Sequence, residues 1–289
     1  MYVFLFVLAL FITSSLMAND LVFREQWGLN NQGKSQPIRI SDLETLEVQG
    51  LLEEDIGLNR TPKESLDPGK LITVAVLDTG IDSTHASLKD YLIKNKGWNF
   101  TGDLNKETNV LGNADVEDRL GHGTHVTGII TSIAKNIRIL PVKIADEEPF
   151  SPVRLREDRP LPSLNEDEIK ASKRFVDRIA RGILYALREG AQIINLSLSW
   201  PQVVDTDFMR QMIDEAQGRG VLIVTAAGND ATDMQVFPCN HTGIICVASH
   251  GPDGALSHFS NYGSAVDIAA PGLNILSTYP QNLRSLFYT

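Results

Sequence analysis

The chain has little basic charge, little cysteine, no low-complexity tract and no repeat period. Among its 289 residues, 26 Lys and Arg stand against 36 Asp and Glu, a formal net charge of −10. Phosphate binding draws its affinity from clustered cations, so this balance argues against a nucleic acid or an anionic membrane surface as partner. With 43% hydrophobic residues and no repeat, one large core is the default. No apolar run is long enough to span a bilayer comfortably. The one near the start, Tyr2 to Ile12, leads into Thr13-Ser14-Ser15 and a small residue at Ala18. We therefore expect residues 1–18 to be a secretory signal, although no Lys or Arg precedes the run and Leu16 sits where a small residue is usual. The expected location is secreted or periplasmic, without stable membrane association after cleavage. No cysteine follows the signal, which excludes a lipid-modified anchor.

The two cysteines, Cys239 and Cys246, bracket Asn240-His241-Thr242-Gly243 in a C-x6-C spacing. In an oxidising compartment such a pair can close a short loop, and at cytosolic redox it stays reduced. Cys246, inside Ile244-Ile245-Cys246-Val247-Ala248, also reads simply as a small buried apolar residue.

Short β-branched runs alternate with amphipathic stretches, the pattern of parallel strands joined by crossover helices. Strands are expected at Leu71 to Leu77, Ile137 to Ile144, Gln192 to Leu198, Val221 to Ala226, Ile244 to Ser249 and Ala265 to Ile268. Helices are expected at His122 to Ala134, Asp167 to Arg188 and Thr206 to Arg219. This predicts a doubly wound α/β fold, a mostly parallel sheet with helices on both faces and functional groups where strands end. Asn19 to Lys70 reads as a polar, loop-rich lead-in, and Asp146 to Asn165 as a solvated surface insertion rich in acids, arginines and prolines.

Three glycine-bearing strings carry chemistry. Asp78 closes an apolar strand in Val76-Leu77-Asp78-Thr79-Gly80. A carboxylate at the mouth of a parallel sheet needs a partner, and an imidazole whose tautomer it fixes is a useful one. His122, in Gly121-His122-Gly123-Thr124-His125, starts a helix between glycines that leave room for a peptide. His125 makes the pair H-x-x-H, but zinc helices of metalloproteases space their histidines at i and i+4 with a Glu between, so His125 reads as structural. Asp78-Thr79-Gly80 is also the aspartic-protease triplet, and that mechanism needs a second carboxylate from a second triplet or a symmetric dimer. Only one occurs. Asn229, after Ala226-Ala227-Gly228, is placed to donate to an oxyanion, although Gly-Asn-Asp alone reads as a turn.

Taken together, Asp, His and Asn in that order, each in its own motif, resemble the subtilisin-like serine proteases, the subtilases. The likeness runs from Gln26-Trp27-Gly28-Leu29-Asn30-Asn31 to Ala270-Pro271-Gly272. It implies a serine endopeptidase acting on protein or peptide substrates, with Asp78 as the triad acid, His122 as the general base and Asn229 as the oxyanion donor. It also implies that an extended peptide lies against Ser197, Leu198 and Ser199, with a side-chain pocket between that strand and Ala226, Ala227 and Gly228. Ser199 and Trp200 stand where many subtilases have glycines, so a narrower or differently shaped cleft is expected. The chemistry requires no cofactor or metal.

Three departures qualify the resemblance. Trp27 follows the signal too closely to leave room for the family's usual inhibitory prodomain. The calcium loop many subtilases carry after the His-bearing helix is missing; Asp115, Glu117 and Asp118 offer alternative ligands for a structural calcium but read as a solvated acidic loop. Finally, no Gly-Thr-Ser or G-x-S-x-G string occurs, and Ser260 and Ser285 lack a nucleophile's setting. Residues 71–289 are thus expected to be an incomplete catalytic domain, preceded by a lead-in at 19–70, truncated before its nucleophilic Ser and inactive as it stands. The alternative is a secreted peptide-binding pseudoprotease or interaction module.

Overall fold

The computed structural model describes residues 27–29, 31–41, 44–52, 55–56, 71–105, 110–146, 165–233 and 236–283. The predicted signal and nearly all of the predicted insertion at Asp146 to Asn165 lie outside them. The central element is an eight-stranded sheet. In chain order its strands are β3 (Ile72–Asp78), β4 (Trp98–Asn105), β5 (Val110–Asn113), β6 (Ile137–Lys143), β7 (Ile193–Leu196), β8 (Leu222–Ala226), β9 (Ile244–His250) and β10 (Ile268–Pro271). Their spatial order is β10-β9-β8-β7-β3-β6-β4-β5, parallel throughout except for the antiparallel β4–β5 pair. An antiparallel hairpin, β1 (Ser35–Ser41) and β2 (Glu44–Gln49), precedes the sheet. That hairpin corrects the expectation of a loop-rich lead-in: neither segment shows an apolar run, and each has the other as its strand partner.

Among the described residues, three α-helices connect the strands: α1 (His122–Ile133), α2 (Glu166–Arg188) and α3 (Asp207–Gly218). Local chemistry sets two of their starts. Asn165 accepts from the Glu168 amide at 2.9 Å while the Glu168 carboxylate accepts from the Asn165 amide, a reciprocal cap for α2. The Thr206 hydroxyl caps α3 by accepting from the Met209 amide. From β3 the chain runs out to the β4–β5 edge and back through α1 to β6 on one side, then crosses through α2 over β3 to β7 and onward through α3 to β8 on the other. Right-handed crossovers running in opposite directions must place their helices on opposite faces. Accordingly, α2 and α3 pack Val176, Ile179, Ile183 and Ile213 against Leu77, Leu140 and Ile194 on one face. On the other, α1 sets Val126 and Ile130 against Val74, Val76, Ile137 and Ile139.

That second face is only partly covered. The parallel registers Val74↔Ile193↔Leu222 and Val224↔Ile245, with Ala226↔Val247↔Ile268, put these side chains on the α1 side of the sheet. Leu222 and Ile268 are 50% and 57% exposed. On this face, among the described residues, no helix packs apolar side chains over β8 to β10.

Candidate active site

Strand β3 is where the chain's path reverses, and the crevice at the carboxyl end of such a strand is where doubly wound sheets place ligands. Asp78 is its last residue. Its register with β7 puts it on the same face as Val74 and Val76, beneath the start of α1. The side chain is almost wholly buried; Oδ1 accepts from the Thr79 amide at 2.7 Å and lies 2.7 Å from Nδ1 of His122. A carboxylate only accepts, so the imidazole in this contact carries its proton on Nδ1 and Nε2 is the unprotonated, basic nitrogen. The second oxygen, Oδ2, is buried with no hydrogen-bond partner among the described residues. His122 opens α1, and its side chain is 29% exposed.

Glycines permit this approach. A Cβ on Gly123 would stand 2.1 Å from the carbonyl oxygen of Gly80, so the first turn of α1 rests directly on the backbone leaving β3. Gly80 itself has φ +111°, and a Cβ there would meet the Val116 carbonyl at 2.4 Å.

His125, three residues along α1, is largely buried and bonds through Nε2 to the Ile275 carbonyl at 3.2 Å. Burial, reinforced by the neighbouring His122, pushes its pKa down to about 4. Asn229 follows β8 by three residues and is exposed. With β7 between β8 and β3, it stands on the same carboxyl edge as Asp78, roughly 10 Å away by strand spacing. The turn that carries it is held from outside: Asn261 accepts from the Asp230 amide at 2.8 Å, donates from Nδ2 to the Ala227 carbonyl and from its backbone to the Gly228 carbonyl. Burial raises the Asp230 pKa beside it.

Ser197, Leu198 and Ser199 extend from β7 between these two groups. The Thr225 hydroxyl fastens them to β8, bridging the Leu196 and Leu198 carbonyls at 3.0 and 2.7 Å. The Ser199 hydroxyl comes within 3.1 Å of where a Cβ on Gly228 would stand, which draws the two expected pocket walls together. The Trp200 indole is buried in the main core and bonds Asp205, while its backbone pairs with Phe237. Cys239 and Cys246 are joined in a disulfide across the β8–β9 connection.

The solvated acidic loop expected at Asp115, Glu117 and Asp118 is corrected at its third member. Asp118 is fully buried and both its oxygens are engaged by protein donors. No local pattern marks Asp118, Thr79 and Asn261 as site residues, because the bonds that bring them to the site, Thr79 to Asp118 and Asn261 to the 227–230 turn, join segments distant in sequence. Only the placement of Thr79 within Asp78-Thr79-Gly80 pointed to one of them.

The subtilase family profile (Peptidase S8) matches residues 69–288. The chain is 30% identical to the cell wall-associated protease of Bacillus subtilis over 274 residues, which cover 91% of this chain. It is 36% identical to the major intracellular serine protease of the same organism over 217 residues, or 73% of this chain. It spans 25% and 61% of the lengths of these two relatives. Among solved structures, a cold-adapted subtilisin-like serine proteinase superposes with a TM-score of 0.54 at 25% identity, covering 72% of this chain and 65% of that one. The carboxylate and imidazole that meet at the mouth of β3 thus sit in a chain that belongs to the subtilase family of subtilisin-like serine proteases.

Proposed function

We propose that this chain supplies the acid, base and oxyanion donor of a serine endopeptidase that hydrolyses peptide bonds by acyl transfer. The observation that carries the reading is the 2.7 Å contact between Asp78 and His122 Nδ1 at the carboxyl end of the reversal strand. Asp78 holds the imidazole with Nε2 unprotonated. That nitrogen takes the proton of an attacking serine and returns it to the leaving amine. As the carbonyl oxygen becomes an oxyanion, the Asn229 amide donates to it; removing such a donor from subtilisin, the measured case, costs about a hundred- to a thousandfold in turnover. The peptide lies along Ser197 to Ser199 as an added strand. The reaction runs on side chains alone.

The nucleophile is a serine outside the described residues. The uncovered apolar face over β8 to β10 is separated from the strand of Asp78 only by β7, so a helix laid there beside α1 would bring a residue at its start to His122. We assign residues 71–289 to the catalytic unit and 19–70 to its lead-in. Residues 1–18 are a secretory signal in this reading, and the Cys239–Cys246 disulfide favours an oxidising compartment.

The test supplies purified residues 1–289 with a Gly-Thr-Ser-bearing subtilase segment in trans. Neither peptide hydrolysis nor fluorophosphonate labelling is expected from the chain alone, and both should appear on addition and vanish with His122→Ala. Hydrolysis indifferent to His122→Ala would overturn the reading; peptide binding with no hydrolysis under any condition would replace it with a peptide-binding module.

A further inference from the structure

Asp78 and His122 belong to different elements, a strand end and a helix start, so their 2.7 Å contact depends on whatever ties β3 to α1. One buried group does so. The Asp118 carboxylate accepts five hydrogen bonds: Oδ1 from the Thr79 hydroxyl at 2.8 Å and from the amides of Leu120 and Gly121, Oδ2 from the amide and hydroxyl of Thr124 at 2.9 and 2.7 Å. Gly121, the residue that precedes α1, has no side chain with which to cap the helix. Asp118 caps it from three residues ahead, and its negative charge suits the helix start. Thr79 is the other half of the joint. Its amide donates to Asp78 Oδ1, and its hydroxyl accepts from the Gly123 amide at 2.9 Å while donating to Asp118. The amides of Gly121, Gly123 and Thr124, on both sides of His122, are therefore fixed to a group one covalent step from Asp78, or to its direct partner. Thr79, Asp118 and Thr124 are all fully buried.

We propose that Thr79 and Asp118 form a positioning pair, in which the Thr79 hydroxyl bonded to the Asp118 carboxylate sets the distance and angle at which Asp78 meets His122. Both act through the backbone that carries the imidazole. The inference rests on the reading of Asp78 and His122 as acid and base.

The readout is the His122 tautomer, followed by nitrogen NMR of the 289-residue chain labelled at histidine, at mildly alkaline pH. In the unmutated chain the Nδ1–H form should dominate. Thr79→Val, which changes no charge, should lower the ratio of the Nδ1–H to the Nε2–H form about tenfold, the size of one weakened charge-assisted hydrogen bond. Thr79→Ser should restore it, and Asp118→Asn should lower it as Thr79→Val does. The signals of His85 and His250 report whether each variant is folded. A ratio unchanged in a folded Thr79→Val chain overturns the proposal. Should that variant unfold, the unmutated chain decides: a Thr79 hydroxyl proton that exchanges slowly supports the pair, and one that exchanges at the solvent rate overturns it. Asp78→Asn separates the two levels. If it leaves the tautomer unmoved, the acid–base reading itself fails; if it moves the tautomer and Thr79→Val does not, only the positioning role is lost.

Discussion

His125 couples the stability of the fold to pH through burial. Its pKa is about 4 in the folded chain against the ordinary 6.5, so between these values the unfolded chain binds a proton that the folded one refuses. Stability from this group is complete above about pH 6.5, declines as pH falls toward 4 and is not lost further below that. The span corresponds to about 3 kcal/mol. Urea midpoints across this window should therefore fall with pH, and His125→Asn should flatten the decline. Asp146, whose carboxyl is pushed up by burial but held below the usual range overall by its bonds to the buried Lys143 and to Thr101, adds a loss only at more acid pH. Asp78 carries the opposite tension, since one of its buried oxygens is unpartnered among the described residues. An amide loses less on burial than a carboxylate, so Asp78→Asn should leave the unfolding midpoint unchanged or raise it, even as it turns His122 to the wrong tautomer. A loss of more than about 2 kcal/mol would mean that Oδ2 is satisfied after all. Asp78 and His122 were legible as a pair because each sits in a short glycine-bearing string whose local geometry is nearly autonomous. Asp118 was not. Its burial is created by the packing of the 113–121 loop on the turn after β3, where the Ile81 amide donates to the Val116 carbonyl and the Asp118 amide to the Ile81 carbonyl, and no local pattern distinguishes it from a solvated acid.

Among the elements, β3, β6, β8, β9 and all three helices follow from β-branched runs and amphipathic spacing. The sequence predicts the last strand at Ala265 to Ile268, whereas β10 is Ile268–Pro271. Ala269 and Ala270 are small rather than β-branched, and their strand conformation comes from pairing with Ala248 and Ser249. Strands β4 and β5 escaped notice for the same reason, each being the other's partner and lacking an apolar run. The β8–β9 connection is held in two ways: Asn261 clamps its start, and the Cys239–Cys246 bond closes its later part. A loop this short gains about 2.5 kcal/mol from closure in the chain-entropy account. Reduction should lower the urea midpoint by about that amount. Loss of protection in the amides of residues 236–246, with β3 and α1 amides unaffected, would locate the effect, and an unchanged midpoint would count against it.

At the scale of the molecule, the apolar stripe through Leu222, Val224, Ile245, Val247 and Ile268 governs behaviour in solution. Large side chains of this kind gain about 1.5 to 3 kcal/mol each when covered. The isolated 289-residue chain should bind a hydrophobic dye and self-associate, and the double variant Leu222→Lys, Ile268→Lys should suppress both without lowering the unfolding midpoint. Dye binding that survives the substitutions would place the sticky surface elsewhere. The strand order also has a consequence in time. Val74 of β3 pairs with Ile193 of β7, residues that leave the ribosome 119 positions apart (193 − 74). At synthesis rates of about 5–20 residues per second, β3 waits roughly 6–24 s for its second neighbour. Until β7 emerges the strand ending in Asp78 can pair on one side only, with β6, so β3 and β6 with α1 form the first parallel pairing open to the central sheet, and the Asp78–His122 contact is older, on each newly made chain, than the cleft it will serve.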